Sequence, residues 1–308
     1  TAYVDVSDAH TAVEAVSGMK KSICVFMPLI YTLIRAGENM VITDPKGELY
    51  ARTSGFAASQ GYNVLCLDFR TLDKDGFNIL EYPARIYRNI DRDKGLMMLS
   101  DIVNVLAEDQ RHRAKDPFWP DTAAQWCNGT GALMFDSYPK IEQINILNWS
   151  DFNNRESAEL VKGLISIIPD DNTAKTAFKE TLSAAENTLR SILITASSFL
   201  SIFKQNNKLA RMLSYSTFSL EDLCNKKTAL FIVTDDTTTT ADAIVGIMIS
   251  QFQTFLVDKA YHNGGKLNTR FNFILDEFAS YAFPAMEMEK ALATHRSRGI
   301  RYYICVQT

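Results

Sequence analysis

In the stretch "FNFILDEFASY" (Phe271–Tyr281) an apolar run ends in two adjacent carboxylates, Asp276 and Glu277. An acid pair at the end of an apolar strand is the Walker B arrangement. The first acid helps to hold Mg²⁺ and the second polarises an attacking water. An acid that merely opens a helix looks the same in sequence, because carboxylates are favoured at helix N-termini. The pair gains meaning only if a phosphate-binding loop stands upstream, after the first strand and at the start of a helix.

That place holds "AVSGMKKS" (Ala15–Ser22). Against the pattern G-x-x-x-x-G-K-[ST], Lys21 and Ser22 fill the last two positions, where the lysine reaches phosphate and the hydroxyl binds Mg²⁺. Gly18 supplies one permissive backbone position. Ala15 and Lys20 stand where the pattern has its two glycines. Those glycines normally allow positive φ and bring backbone N–H groups close to phosphate.

Such residues need a sheet to carry them. Strand-like runs occur at "HTAVEAV" (His10–Val16), "NMVITDP" (Asn39–Pro45), "YNVLCLDF" (Tyr62–Phe69), "TALFIVTD" (Thr228–Asp235), "FNFILDEF" and "RYYICVQT" (Arg301–Thr308). The first three are apolar on both faces, which suits a parallel sheet covered by helices on each side. Helical periodicity fills the gaps, including Thr240–His262 and Pro284–Arg298. From about residue 90 to 215 it is almost the only pattern. The reading is an α/β fold interrupted by an all-helical insertion: a sheet domain from 1–90 and 216–308, and a helical domain from 91–215.

The chain has 308 residues, 46% apolar and 22% charged, with a net charge of −4. This is a globular composition with no global basic field, so any nucleic-acid contact must be local. The five cysteines are scattered without a C-x-x-C pair, and the four histidines have no metal-ligand spacing. Reduced core thiols in a cytosolic compartment are expected. The longest apolar run, Ile23–Ile34, is too short to span a bilayer and contains Pro28, which is expected to kink or end its helix. The abrupt ends create the expectation of a longer protein with any membrane anchor outside this stretch.

The segments "ENMVITDPKGELY", "KDPFWPDTAAQW", "TALFIVTDD", "NFILDEFA" and "THRSRGIRYYICVQT" follow in that order. Together they resemble the type IV secretion coupling proteins, and "DPKGEL" after the second strand is the most characteristic of them. The resemblance covers His10 to Thr308. It implies a RecA-like, mainly parallel sheet, with ATP and Mg²⁺ as cofactors. It also implies a hexameric motor at the cytoplasmic face of the bacterial membrane. Its partners would be relaxase or secreted protein substrates, single-stranded DNA and the secretion channel. Carried over residue by residue, Gly18, Lys21, Ser22 and Asp44 bind nucleotide, and Ser22 and Asp276 hold the metal. Glu277, Arg296 and Gln307 serve catalysis. Arg296 would reach a neighbouring subunit's nucleotide, with Arg298 as a close second.

Two functions stay open at this point: an NTP-driven translocase, and a docking platform of the same fold that has lost hydrolysis. "DPKGEL" and the helical insertion weigh against a chromosome-pumping ATPase. Trp119 and Trp126, seven apart on a helix, read as core packing before base stacking. "RHRAK" (Arg111–Lys115) reads equally as a phosphate contact or a solvated helix end.

Overall fold

The computed structural model describes residues 7–16, 22–154, 157–169, 172–235, 240–281 and 285–307. The chain opens with β1 (Thr11–Ala15). A π-helical turn, Ser22–Phe26, runs into α1 (Met27–Ala36). α1 runs on past Pro28 to Ala36, so the proline does not end it; Pro28 stands at the junction where the π-helical turn gives way to α-helix. Next come β2 (Asn39–Asp44), α2 (Glu48–Ser59) and β3 (Asn63–Asp68).

A run of helices follows: α3 (Glu81–Asn89), α4 (Arg92–Arg113), α5 (Phe118–Ser137), α6 (Ile146–Phe152) and α7 (Ser157–Ile167). It continues with α8 (Thr173–Ser183), α9 (Glu186–Phe199), α10 (Ser201–Gln205) and α11 (Asn207–Met212). The chain then returns through α12 (Asp222–Asn225), β4 (Thr228–Val233), α13 (Thr240–His262) and β5 (Phe271–Leu275). It closes with α14 (Ala285–Thr294), a 3₁₀ turn at Arg296–Arg298, and β6 (Ile300–Gln307).

Two compact units result, Thr1–Asp75 with Thr217–Thr308, and Gly76–Ser216. The first holds a six-stranded sheet in the order β1-β6-β5-β2-β4-β3. All its strand pairs are parallel. β2, β4 and β5 are buried along their whole length, as strands covered on both faces must be. Phe26, Ile30 and Ile34 pack with Met40, Ile42, Phe231 and Val233 in one core cluster. β4 lies between β2 and β3, so strands from before and after the helical run share one sheet. Because every strand runs the same way, Ala15, Asp44, Asp68, Val233, Leu275 and Gln307 all end on one edge.

The helical unit is built around α5. Gly129 and Gly131 let neighbours approach: an added Cβ would stand 2.7 Å from the Phe178 ring and 2.7 Å from Leu99 respectively. Trp126 is fully buried, edge-on to Phe178 at 4.9 Å. Trp149 Nε1 donates to Thr130 Oγ1 at 3.1 Å, and that hydroxyl donates to Asn153 Oδ1 at 3.0 Å. The basic cluster on α4 sits against acids: Arg111 on Asp121 and Arg113 on Asp109, each at 2.9 Å, and His112 on Glu108 at 3.0 Å. All five cysteines are free thiols, and Cys66, Cys127 and Cys305 are buried.

Candidate phosphate and metal site at the carboxyl edge of the sheet

β5 delivers Asp276 to the carboxyl edge, where it is 5% exposed. Its Oδ2 accepts a hydrogen bond from Ser22 Oγ at 2.7 Å, across 254 residues of sequence. Its Oδ1 accepts from the Glu277 backbone N–H at 3.1 Å. Its main-chain carbonyl accepts from the buried Thr43 hydroxyl at 3.1 Å. The acid is therefore held by the start of the first helix, by the following residue and by β2. Glu277 has φ 54° and ψ 42°, in the left-handed region. A non-glycine residue there costs on the order of 1–2 kcal/mol, so the surrounding bonds must hold the turn.

Asp44 ends β2 and is almost fully buried. Its Oδ2 accepts from the Tyr50 N–H at 2.8 Å, so it caps the first turn of α2. Gly47 supplies the left-handed residue of this "DPKGEL" turn, at φ 69°. Burial pushes the Asp44 carboxyl up, the Tyr50 and Gly47 N–H groups and Arg70 oppose this, and Asp276 adds a smaller upward push. Asp242, in the first turn of α13, is pushed up to about 6, first by burial and then by the Glu277 carboxylate. These four acids crowd one edge.

Gln307 closes β6 directly opposite Ala15 of β1. Gly18, Lys20 and Lys21 lie outside the described residues. Arg296 does not join this group. It sits exposed in the 3₁₀ turn at the amino end of β6. The eight residues of β6 span roughly 26 Å, far beyond the reach of an arginine side chain.

Thr43 and Asp242 escaped the sequence reading. Thr43 directly precedes Asp44, and its register opposite Leu275 sets it beside Asp276. That register emerges only once β2 and β5 are paired. Asp242 carried one signal, an acid at a helix start after a strand.

Among the described residues no three His, Cys, Asp or Glu side chains form a closed metal cage. The donors that do converge, a hydroxyl and a carboxylate, are hard oxygens. They suit Mg²⁺, which binds through few protein ligands and keeps water and phosphate oxygens. The surrounding carboxyls favour a cation in the same place.

The sheet order sets the strand ending at Gln307 between the strand that precedes the Ala15–Ser22 loop pattern and the strand carrying the acid pair. With a hydroxyl at the first helix start touching the first acid, this defines a RecA-like α/β protein. The chain belongs to the type IV secretory system conjugative DNA transfer family, whose model matches residues 2–308. It is 24% identical over 298 residues to the conjugal transfer protein TraG of Escherichia coli, covering 91% of this chain and 45% of TraG. The fold is similar to the bacterial conjugative coupling protein TrwB in its unbound form, with a TM-score of 0.66 and 18% identity over 98% of this chain and 62% of that one. It is also similar to TrwB in complex with ADP and Mg²⁺, with a TM-score of 0.65, 18% identity, and coverage of 98% and 64%. The chain thus spans less than half of TraG and under two thirds of the TrwB chains. Among the described residues no helix is long and apolar enough to cross a membrane.

Proposed function

We propose that this chain is the nucleotide-driven part of a conjugative coupling protein, binding and hydrolysing Mg·ATP at the carboxyl edge of its sheet. The observation that carries this reading is the 2.7 Å bond between Ser22 and Asp276, which joins the end of the phosphate-loop pattern to the acid pair. TrwB, the similar fold, has been captured with an ATP analogue and with ADP and Mg²⁺. In this reading Lys21 and the backbone around Gly18 hold phosphate, and Asp44 shapes the turn beside it. Ser22 and Asp276 hold Mg²⁺, which when bound neutralises phosphate charge. Glu277 polarises the attacking water, Gln307 faces the phosphates, and Arg296 acts on the nucleotide of the next subunit in a hexamer. The all-helical segment, 91–215, receives relaxase or other protein substrates. Single-stranded DNA and the secretion channel complete the partners, at the cytoplasmic face of the membrane.

One observation favours a second reading, a docking platform without hydrolysis: Ala15 and Lys20 stand at the two glycine positions. A side chain forced into glycine-only backbone costs about 1–3 kcal/mol. That is roughly a tenfold to hundredfold loss of affinity. Calorimetric titration with Mg·ATP separates the readings. Weak binding by the native chain should tighten at least about tenfold in Ala15→Gly with Lys20→Gly. Adding Lys21→Ala should abolish the gain. Equal affinities in all three proteins would hand the lead to the docking platform.

A further inference from the structure

We propose that His10 is a positioning residue for the turn that presents Arg296, clamping α14 to β6 on either side of it. The role rests on the reading of Arg296 as the group offered to a neighbouring subunit. His10 Nε2 lies 2.9 Å from the Leu292 carbonyl in α14. Its Nδ1 accepts the Tyr302 backbone N–H at 3.1 Å. A carbonyl cannot donate and an N–H cannot accept, so the pair of bonds assigns the neutral ring with its proton on Nε2. Leu292 and Tyr302 bracket the segment that contains Arg296 and Arg298. The His10 ring also meets the Tyr302 ring edge-on at 5.2 Å. The Tyr302 hydroxyl in turn lies 2.7 Å from Nδ1 of His295, the residue just before Arg296. One imidazole thus ties the base of β1 to both ends of an exposed arginine turn.

A second proton on His10 would face Tyr302 N–H with another N–H and open the clamp. The surroundings disfavour that proton: burial lowers the His10 pKa first, the Leu292 carbonyl opposes, and the Arg296 guanidinium lowers it further. His295 is a second basic neighbour, and Asp8, two residues away, is engaged by Lys266 and Arg270. A fixed neutral His10 keeps the turn in place.

Two measurements test the proposal. Long-range ¹H–¹⁵N spectra of the histidine rings should show His10 as the Nε2–H tautomer. An Nδ1–H tautomer overturns the clamp. ATP turnover is then measured with DNA at concentrations that allow assembly. His10→Ala should lose turnover by about tenfold to hundredfold, the scale of a misplaced catalytic group, and some melting temperature with its two hydrogen bonds, while Mg·ATP affinity holds. His10→Gln keeps a donor that reaches Leu292, and His10→Asn keeps an acceptor for Tyr302, so each should recover part of the loss. Native turnover in His10→Ala overturns the clamp if Arg296→Ala is impaired. Affinity and melting temperature falling together in all three His10 variants would make His10 merely structural and overturn it too. Native turnover in Arg296→Ala overturns the reading beneath it and the role of His10 with it.

Discussion

At the scale of single residues, Asp276 is the most constrained acid in the molecule's candidate site. Three donors hold it, and the two hydroxyls among them can be removed separately. Ser22→Ala takes away the hydroxyl on Oδ2. A bond to a charged group contributes about 1.5–3 kcal/mol. If both oxygens serve one Mg²⁺, Mg·ATP affinity should fall by at least about tenfold, with affinity for metal-free ATP unchanged. Titrations with and without Mg²⁺ check this. Thr43→Val keeps the shape of a buried side chain but removes the donor to the Asp276 carbonyl. It should cost about 1 kcal/mol of stability. Turnover should fall further than stability does, because the left-handed turn at Glu277 loses a support, and Thr43→Ser should restore it. His295 supplies a pH dependence. Burial first, then Arg298, His10 and Lys290, push its pKa down from 6.5 to about 4. The folded state therefore favours the neutral ring. Its contribution is whole above the unfolded pKa and is lost as the pH falls from about 6.5 toward 4. Between about pH 7 and about pH 5 the native protein should lose on the order of 2 kcal/mol through this group, and His295→Gln should lose correspondingly less. Urea midpoints at the two pH values measure the difference.

At the scale of elements, the "DPKGEL" turn shows how a short motif becomes geometry. β2 ends at Asp44, Gly47 reverses the chain at φ 69°, and Asp44 closes the turn on the Tyr50 N–H. Arg70, from the end of β3, donates to the Lys46 carbonyl at 2.9 Å. A Cβ on Gly47 would strike the Arg70 guanidinium. Gly47→Ala should therefore cost about 1–2 kcal/mol from backbone strain alone, and more if Arg70 cannot move aside. In the helical unit, Gly129→Ala should cost about 1–3 kcal/mol by driving the Phe178 ring out of its rotamer. Chemical denaturation of the two variants tests both elements. The π-helical turn at Ser22–Phe26 has a related logic. It is a wider turn placed where the hydroxyl must meet Asp276, and ordinary α-helix resumes only at Met27. Such insertions occur often at functional sites.

At the scale of the whole molecule, the parallel sheet puts the acid pair and Arg296 on opposite edges. β6 separates them by roughly 26 Å, so no chain can bring its own Arg296 to its own Ser22. If Arg296 takes part in hydrolysis, it does so in trans. The isolated chain should then be a monomer or weak oligomer at micromolar concentration, with turnover rising more steeply than protein concentration. Mixing Lys21→Ala with Arg296→Ala, each inactive alone, should restore part of the activity, because some interfaces pair an intact loop with an intact arginine. Light scattering and turnover of the mixture check both expectations. No recovery on mixing would count against action in trans.

Much of this was present in the sequence by itself. β2, β4 and β5 announced themselves because strands buried on both faces must be unbroken apolar runs, and α13 keeps the bounds that its periodicity sets. The family signature was legible because it is a set of short motifs in a fixed order, each read locally. The tertiary structure decided what depends on register between distant strands. That Thr43 lies under Asp276, that Asp242 feels Glu277, and that His10 spans Leu292 and Tyr302 are facts about neighbours brought together across long stretches of chain. No local pattern encodes them, since pairing strands at one register rather than another changes every cross-strand contact while leaving each strand's own sequence the same. The edge on which Arg296 falls is likewise a consequence of all six strands running in one direction, a property of the sheet and of no single segment.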